Sequence, residues 1–180
     1  KDSSDLKLGS LLSGVVTTRK GTEIEGATVT IKSSDGQSIL DTVTTGSDGK
    51  FNSFISENAI IELSKDYEPS REITVRDALE TMRVGLRKTK MDGTLENFDF
   101  IAADYNHDGR VSVRDALEIM RYGLRKGEID PEFIFVRGDL DSELTTRNLD
   151  YDKVISADLS SLDSSIEITT ILTGDLNGSI

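Results

Sequence analysis

The feature that most constrains this chain is an internal repeat. Asp66–Lys88 reads DYEPSREITVRDALETMRVGLRK and Asp104–Lys126 reads DYNHDGRVSVRDALEIMRYGLRK; at an offset of 38 residues, without a gap, 14 of the 23 positions are identical. Self-similarity of this kind marks a duplicated supersecondary unit. Each copy ends in a helix, since along Val113–Arg125 the apolar residues Val113, Ala116, Leu117, Met120 and Leu124 recur at helical spacing. Asn97–Ala103, with Phe98, Ile101 and Ala102 on one side, predicts a short helix leading into the second copy.

The loop ahead of the second helix carries the chemistry. Asp104, Asn106 and Asp108 put side-chain oxygens at alternate positions, a spacing that lets them curl around one hard cation. Gly109 permits the sharp turn, where a Cβ disfavours the required backbone angles. Arg110 offers its carbonyl, Ser112 a direct or water-bridged oxygen, and Asp115 a closing bidentate carboxylate. Asp115 also falls in the first helical turn, where the helix dipole favours negative charge. The plainer alternative is an Asx-rich turn without an ion. In the first copy the matching positions hold Asp66, Glu68, Ser70, the carbonyl of Glu72, Thr74 and Asp77. There Arg71 replaces the turn glycine and Pro69 stiffens the loop, so the first copy is open between a second calcium site and a degenerate loop kept for its helix.

Residues 11–63 read as β. Leu12–Thr17, Ala27–Lys32, Ile39–Thr44 and Phe51–Ile55 are short runs rich in Val, Ile, Thr and Phe, separated by Lys20-Gly21, Ser34-Asp35-Gly36 and Ser47-Asp48-Gly49 turns. Strands of this length and spacing predict a small β-sandwich. The last segment adds strand-like runs at Phe133–Val136 and Ile166–Leu172, and is too short for a comfortable core of its own, so it is expected to pack on the rest. Three segments follow: 1–63 as a β-sandwich, 64–128 as the repeat, and 129–180 as an acidic β-rich tail.

Composition narrows the function. The net charge of -12 argues against a nucleic-acid surface and leaves cations or basic surfaces as partners. Residues 129–180 alone carry 11 acidic and 3 basic side chains. With no cysteine there is no disulfide, and bound calcium can serve as the cross-link instead. One histidine, His107, and no cysteine leave little for a zinc site or for the commoner catalytic bases and nucleophiles. The expectation is no enzyme. No apolar run approaches a membrane span. The chain opens at Lys1, without a methionine or a signal peptide, which predicts a piece of a longer protein.

Two resemblances add to this reading. The pattern D-x-N-x-D-G-x-V-x-x-x-D-A-L in Asp104–Leu117, closing on Asp115 where an ordinary EF-hand closes on Glu, resembles the dockerin family across residues 64–127. That resemblance implies a calcium-binding module (one ion at the second loop, a second open at the first) that pairs with a cohesin-like domain. Such modules attach secreted proteins to scaffolds or cell surfaces, polysaccharide-degrading complexes among them. Gly14, Gly26-Ala27-Thr28-Val29 and Ser47-Asp48-Gly49-Lys50-Phe51 resemble the carboxypeptidase-regulatory-like, prealbumin-type or Ig-like sandwich. Gly174-Asp175-Leu176-Asn177-Gly178-Ser179 is similar to segments that follow degenerate dockerin repeats at the ends of large secreted bacterial proteins. Together they imply a multi-domain fold: an all-β sandwich, a small all-α dockerin-like calcium-loop repeat, and a C-terminal β-rich tail packed on both.

By the same resemblance the partner-binding residues are Val75, Arg76, Arg83 and Arg87, with Val113, Arg114, Arg121 and Arg125; Met82 and Met120 are expected in the core instead. Arg76, Arg83 and Arg87 are spaced by seven and four, so they share a helical face, and Arg114, Arg121 and Arg125 repeat it. Two matched basic stripes suit an acidic partner surface, and their pseudo-symmetry allows two orientations of binding. The bland reading is salt bridges on a solvated face, with Glu80 and Glu118 in reach, or cover by the acidic tail. The expected setting is extracellular, secreted or surface-bound, bacterial or archaeal, as a monomer on its own. The alternative function is a calcium-stabilised structural cap with no external partner and its helices covered intramolecularly. Asp139, Asp141, Asp175 and Asn177 could hold another cation, though acidic turns of this kind are usually only solvated.

Overall fold

The computed structural model describes residues 9–69 and 71–180. Its architecture is mixed: two four-stranded sheets and a cluster of three helices that touches the sheets lightly. The strands are β1 (Ser10–Thr18), β2 (Thr28–Ser33), β3 (Ile39–Thr44), β4 (Lys50–Ile55), β5 (Ala59–Ser64), β6 (Phe133–Arg137), β7 (Ile155–Ala157) and β8 (Ile166–Leu172). The helices are α1 (Val75–Gly85), α2 (Asn97–Ala103) and α3 (Val113–Gly123).

One sheet runs β4-β1-β8-β6 and the other β3-β2-β5-β7. Most neighbours are antiparallel, but β1 and β8 are parallel, with Gly14 opposite Ile166 and Thr18 opposite Thr170. Both sheets therefore end in strands from the C-terminal segment. The period-2 pattern explains the layering: Leu12, Val16, Val29, Ile31, Phe51, Ile55 and Ile61 alternate with outward residues and meet in one apolar core. Gly14 lies under the Phe51 ring, where a Cβ would come within 2.4 Å of ring carbons.

β8 belongs to two cores. Ile166 and Ile168 face the sheet core, whereas Ile171 and Leu172 join Ile101, Tyr105, Ile119 and Leu176 in a second core around the helices. The helices enter that core with small residues. An added Cβ on Gly85 of α1 would meet the Ser112 backbone just ahead of α3 at 3.1 Å, and one on Gly123 of α3 would meet Thr74 just ahead of α1 at 3.3 Å. This reciprocal approach is the repeat's pseudo-two-fold symmetry in atomic form.

The two cores are joined by a buried ionic knot. Asp99 of α2 accepts Arg19 Nη2 at 2.6 Å and Lys90 Nζ at 3.0 Å, while its other oxygen accepts the Glu96 amide at 2.8 Å. Arg19 follows β1 directly, so this contact ties a sheet strand to the helix cluster.

Candidate functional site

The loop between α2 and α3 is curled by its own amides. Asp104 Oδ1 accepts the Asp108 amide at 3.1 Å and its Oδ2 the Gly109 amide at 3.0 Å. Asn106 Oδ1 accepts the Asp108 amide, and Asp108 Oδ1 accepts that of Arg110. Asp115 closes the ring from the first turn of α3: Oδ1 accepts the amides of Tyr105 and Asn106, and Oδ2 accepts the amide and hydroxyl of Ser112. His107 at φ 57° and Gly109 at φ 80° provide the left-handed turns. Val111 anchors the loop inward, with its amide donating to the Thr146 carbonyl in the C-terminal segment.

Asp104, Asn106, Asp108, Ser112 and Asp115 thus surround one short stretch of backbone, and the Arg110 carbonyl lies in the same loop. Among the described residues no group of three or more His, Cys, Asp or Glu side chains forms a ready metal-holding cluster. Asp104 and Asp115 each accept backbone N–H groups on both oxygens, and Asp108 accepts one on Oδ1. The donor set of carboxylates, amide, hydroxyl and carbonyl is all hard oxygen, which fits calcium and not a thiophilic metal.

Burial and mutual repulsion act on these groups together. Burial pushes the Asp115 carboxyl above its ordinary value of 3.8, and pushes Asp104 up likewise, with the facing charges of Asp115 and Asp108 adding to it. The native carboxyls therefore hold protons more tightly than the unfolded ones. The resulting stabilisation is complete below 3.8 and is lost as pH rises through the raised native values. The chain is expected to show a higher urea midpoint at mildly acid pH than at pH 7. A midpoint that falls steadily on acidification would contradict it.

The first copy is arranged differently. Asp66 and Glu68 are exposed, and Ser70 lies outside the described residues. Asp77, fully buried in the first turn of α1, accepts the Thr74 amide and hydroxyl on Oδ2, as Asp115 does from Ser112. Its Oδ1, however, accepts the amides of Leu176 and Asn177, about a hundred residues away in the chain. The Glu72 carbonyl accepts the Ser179 hydroxyl at 3.2 Å. The link from Asp77 to the chain end was invisible in the local sequence. Its one signal was the spacing Asp175-x-Asn177-x-Ser179, which copies Asp104-x-Asn106-x-Asp108.

On the other side of α1 and α3 lies a matched open face. Val75, Leu79 and Leu86 on one helix and Val113, Leu117 and Leu124 on the other are each between 44 and 56% exposed. The spacing predicts Val113, Leu117 and Leu124 on the apolar side of α3; they point outward because Ala116 and Ile119 face the core. Arg76, Arg87, Arg114, Arg121 and Arg125 are exposed beside them. Arg83 is half-buried, its Nε donating to the Thr89 carbonyl, and Arg121 pairs with Glu118 at 2.9 Å. Glu80 is buried and accepts the Met91 amide. Met82 and Met120 are half-buried, and Met120 packs on the helix core. No helix among the described residues is long and apolar enough to cross a membrane.

No protein-family model matches this chain, and no curated protein matches it either.

Proposed function

We propose that the chain is a calcium-dependent, non-catalytic attachment module of an extracellular protein, of the dockerin type. Its two sheets then form the prealbumin-like or Ig-like companion domain. The observation that carries this reading is the 104–115 loop. Seven amide hydrogen bonds bend it around a set of hard oxygens, closed from the first turn of α3 by Asp115. Asp104, Asn106, Asp108, the Arg110 carbonyl, Ser112 and Asp115 would hold the ion. When bound, it would neutralise the charge that crowds this loop and fix the entry to α3.

The open face of α1 and α3 supports a protein partner. Exposed apolar side chains in matched pairs, rimmed by arginines, have the composition of an interface core and rim. The acidic C-terminal segment does not lie across it; its last residues bond to Asp77 and to the Glu72 carbonyl instead. This favours a face left free for an acidic, cohesin-like surface over a cap covered by its own tail.

Calorimetric titration of calcium into chelator-stripped protein tests the central claim: binding with a gain in helix content supports it, and no binding overturns it. For the partner face, Arg83→Glu combined with Arg121→Glu is expected to abolish capture by a cohesin domain in surface plasmon resonance. Either reversal alone is expected to be tolerated. A single reversal that abolishes capture would rule out two interchangeable orientations.

A further inference from the structure

Arg71 stands where the second repeat has Gly109 at its turn, and the repeat pattern gives it no role. It lines a cleft of about 1010 Å³ between the start of α1 and the end of α3. Arg76, from the first turn of α1, and Arg125, from just past α3, line the same cleft. All three arginines are exposed, and none takes part in a salt bridge among the described residues. Asp130 is the one acidic residue among the described residues of the lining, which therefore carries a charge of +2 in a chain of net charge -12. A cleft of one sign, walled by protein, concentrates ions of the other sign.

The duplication alone does not build this cleft. At the offset of 38, Arg76 and Arg125 have counterparts in Arg114 and Arg87, but Tyr122 answers to Val84 and Gly127 to Thr89. Tyr122 and Gly127 line the cleft, whereas Val84 is fully buried in the helix core. An added Cβ on Gly127 would meet the Tyr122 backbone at 2.9 Å, so the wall after α3 needs a glycine to fold back this closely. The backbone donors differ as well. The Arg114 amide at the start of α3 donates to Ser112 Oγ at 3.2 Å. The Arg76 amide makes no such bond to Thr74, whose hydroxyl donates to Asp77 instead. Thr74, Val75 and Arg76 all line the cleft, so the start of α1 opens onto it with a free first-turn donor.

From this we propose an oxyanion site at this end of the helix pair, formed by Arg71, Arg76 and Arg125, for a ligand that carries a sulfate or phosphate group. Guanidinium groups match such oxyanions with paired N–H donors. A lining charge of +2 suits a dianion better than a single carboxylate. The start of α1 adds its dipole to the same place. Arg71 thereby has a role, and the two ends of the repeat, alike in sequence, differ in what they bind. The inference does not depend on calcium at the 104–115 loop and stands if that loop binds none.

The test is titration of sulfate, methyl phosphate and acetate into the full chain and two variants, at constant ionic strength and above the second ionisation of the phosphate, followed by backbone amide NMR shifts. Sulfate or methyl phosphate is expected to move the Val75 and Arg76 amides saturably, with acetate at least about tenfold weaker. Whichever dianion binds more tightly identifies the source of the group. Arg71→Gln should weaken that binding at least about tenfold. Arg114→Gln, which removes the counterpart of Arg76 at the other end of the pair, should leave it unchanged. Both substitutions fall on exposed residues, so the fold is expected to survive them. Shifts that never saturate and spread equally to the Val113 and Arg114 amides would mean general screening of a basic surface and would overturn the site. Binding untouched by Arg71→Gln, or acetate as tight as sulfate, would overturn it too.

Discussion

Replacing Asp99 with alanine is expected to destabilise the fold by about 3–5 kcal/mol, the usual cost of breaking a buried ion pair from one side. Asp99 is fully buried and holds two cations on one oxygen, Arg19 at 2.6 Å and Lys90 at 3.0 Å. Removing it leaves a guanidinium and an ammonium largely desolvated with no counter-ion; Arg19 already has one buried nitrogen, Nη1, without a hydrogen-bond partner. Glu96, at 3.8 Å from Arg19 and mostly exposed, is too solvated to substitute. The Glu96 amide ahead of α2 also loses its acceptor. In a domain of this size the melting temperature should drop by roughly 10 °C. Because the knot bridges the two cores, the loss should fall on their joint unfolding. A double-mutant cycle with Arg19→Ala checks this: the Asp99→Ala cost should shrink by more than about 1 kcal/mol in that background. Additive effects would mean that the pair is not what binds strand to helix.

Much of the fold was legible because local patterns repeat themselves. α2 has the expected bounds, while α3 ends at Gly123, two residues short of Arg125. β3 and β8 also have the expected bounds, since turn residues and β-branched runs mark both ends. β5 and β7 were not anticipated. Ala59–Ser64 follows a turn with an apolar pair that has no clean alternation, and Ile155–Ala157 has only three residues, too few for any periodic signal. Both owe their strand conformation to partners, β5 to β2 and β7 to β5. The outward Leu117 and Leu124 were legible as helix but not as surface. Spacing gives a face its existence, and only packing says which side is covered. The closing of Asp77 by the chain end is the extreme case, a contact spanning a hundred residues whose only trace is a repeated Asp-x-Asn spacing.

Asp115→Ala is the substitution on which stability and function are expected to fail together. Its carboxylate takes three backbone amides, from Tyr105, Asn106 and Ser112, and one hydroxyl. Alanine leaves those donors facing a small void in a buried place, at about 1–3 kcal/mol for each amide that water cannot reach. A total near 3 kcal/mol is expected in calcium-free protein, read as a lower urea midpoint at unchanged slope. Asp115→Asn separates the two roles. Its oxygen can still serve Tyr105 and Asn106, but its NH2 then opposes the Ser112 amide, so part of the stability should survive. On the proposed calcium reading, affinity should fall in both variants, because neither can supply a bidentate closing carboxylate. The comparison with Asp77→Ala is the sharpest. Asp77 makes the same four contacts, two of them to the chain end, so its loss should cost as much in stability. Calcium binding at the 104–115 loop should remain intact in that variant. If Asp77→Ala abolished all calcium binding, the loop would depend on the chain end for its shape, and the two halves of the repeat would be one cooperative site.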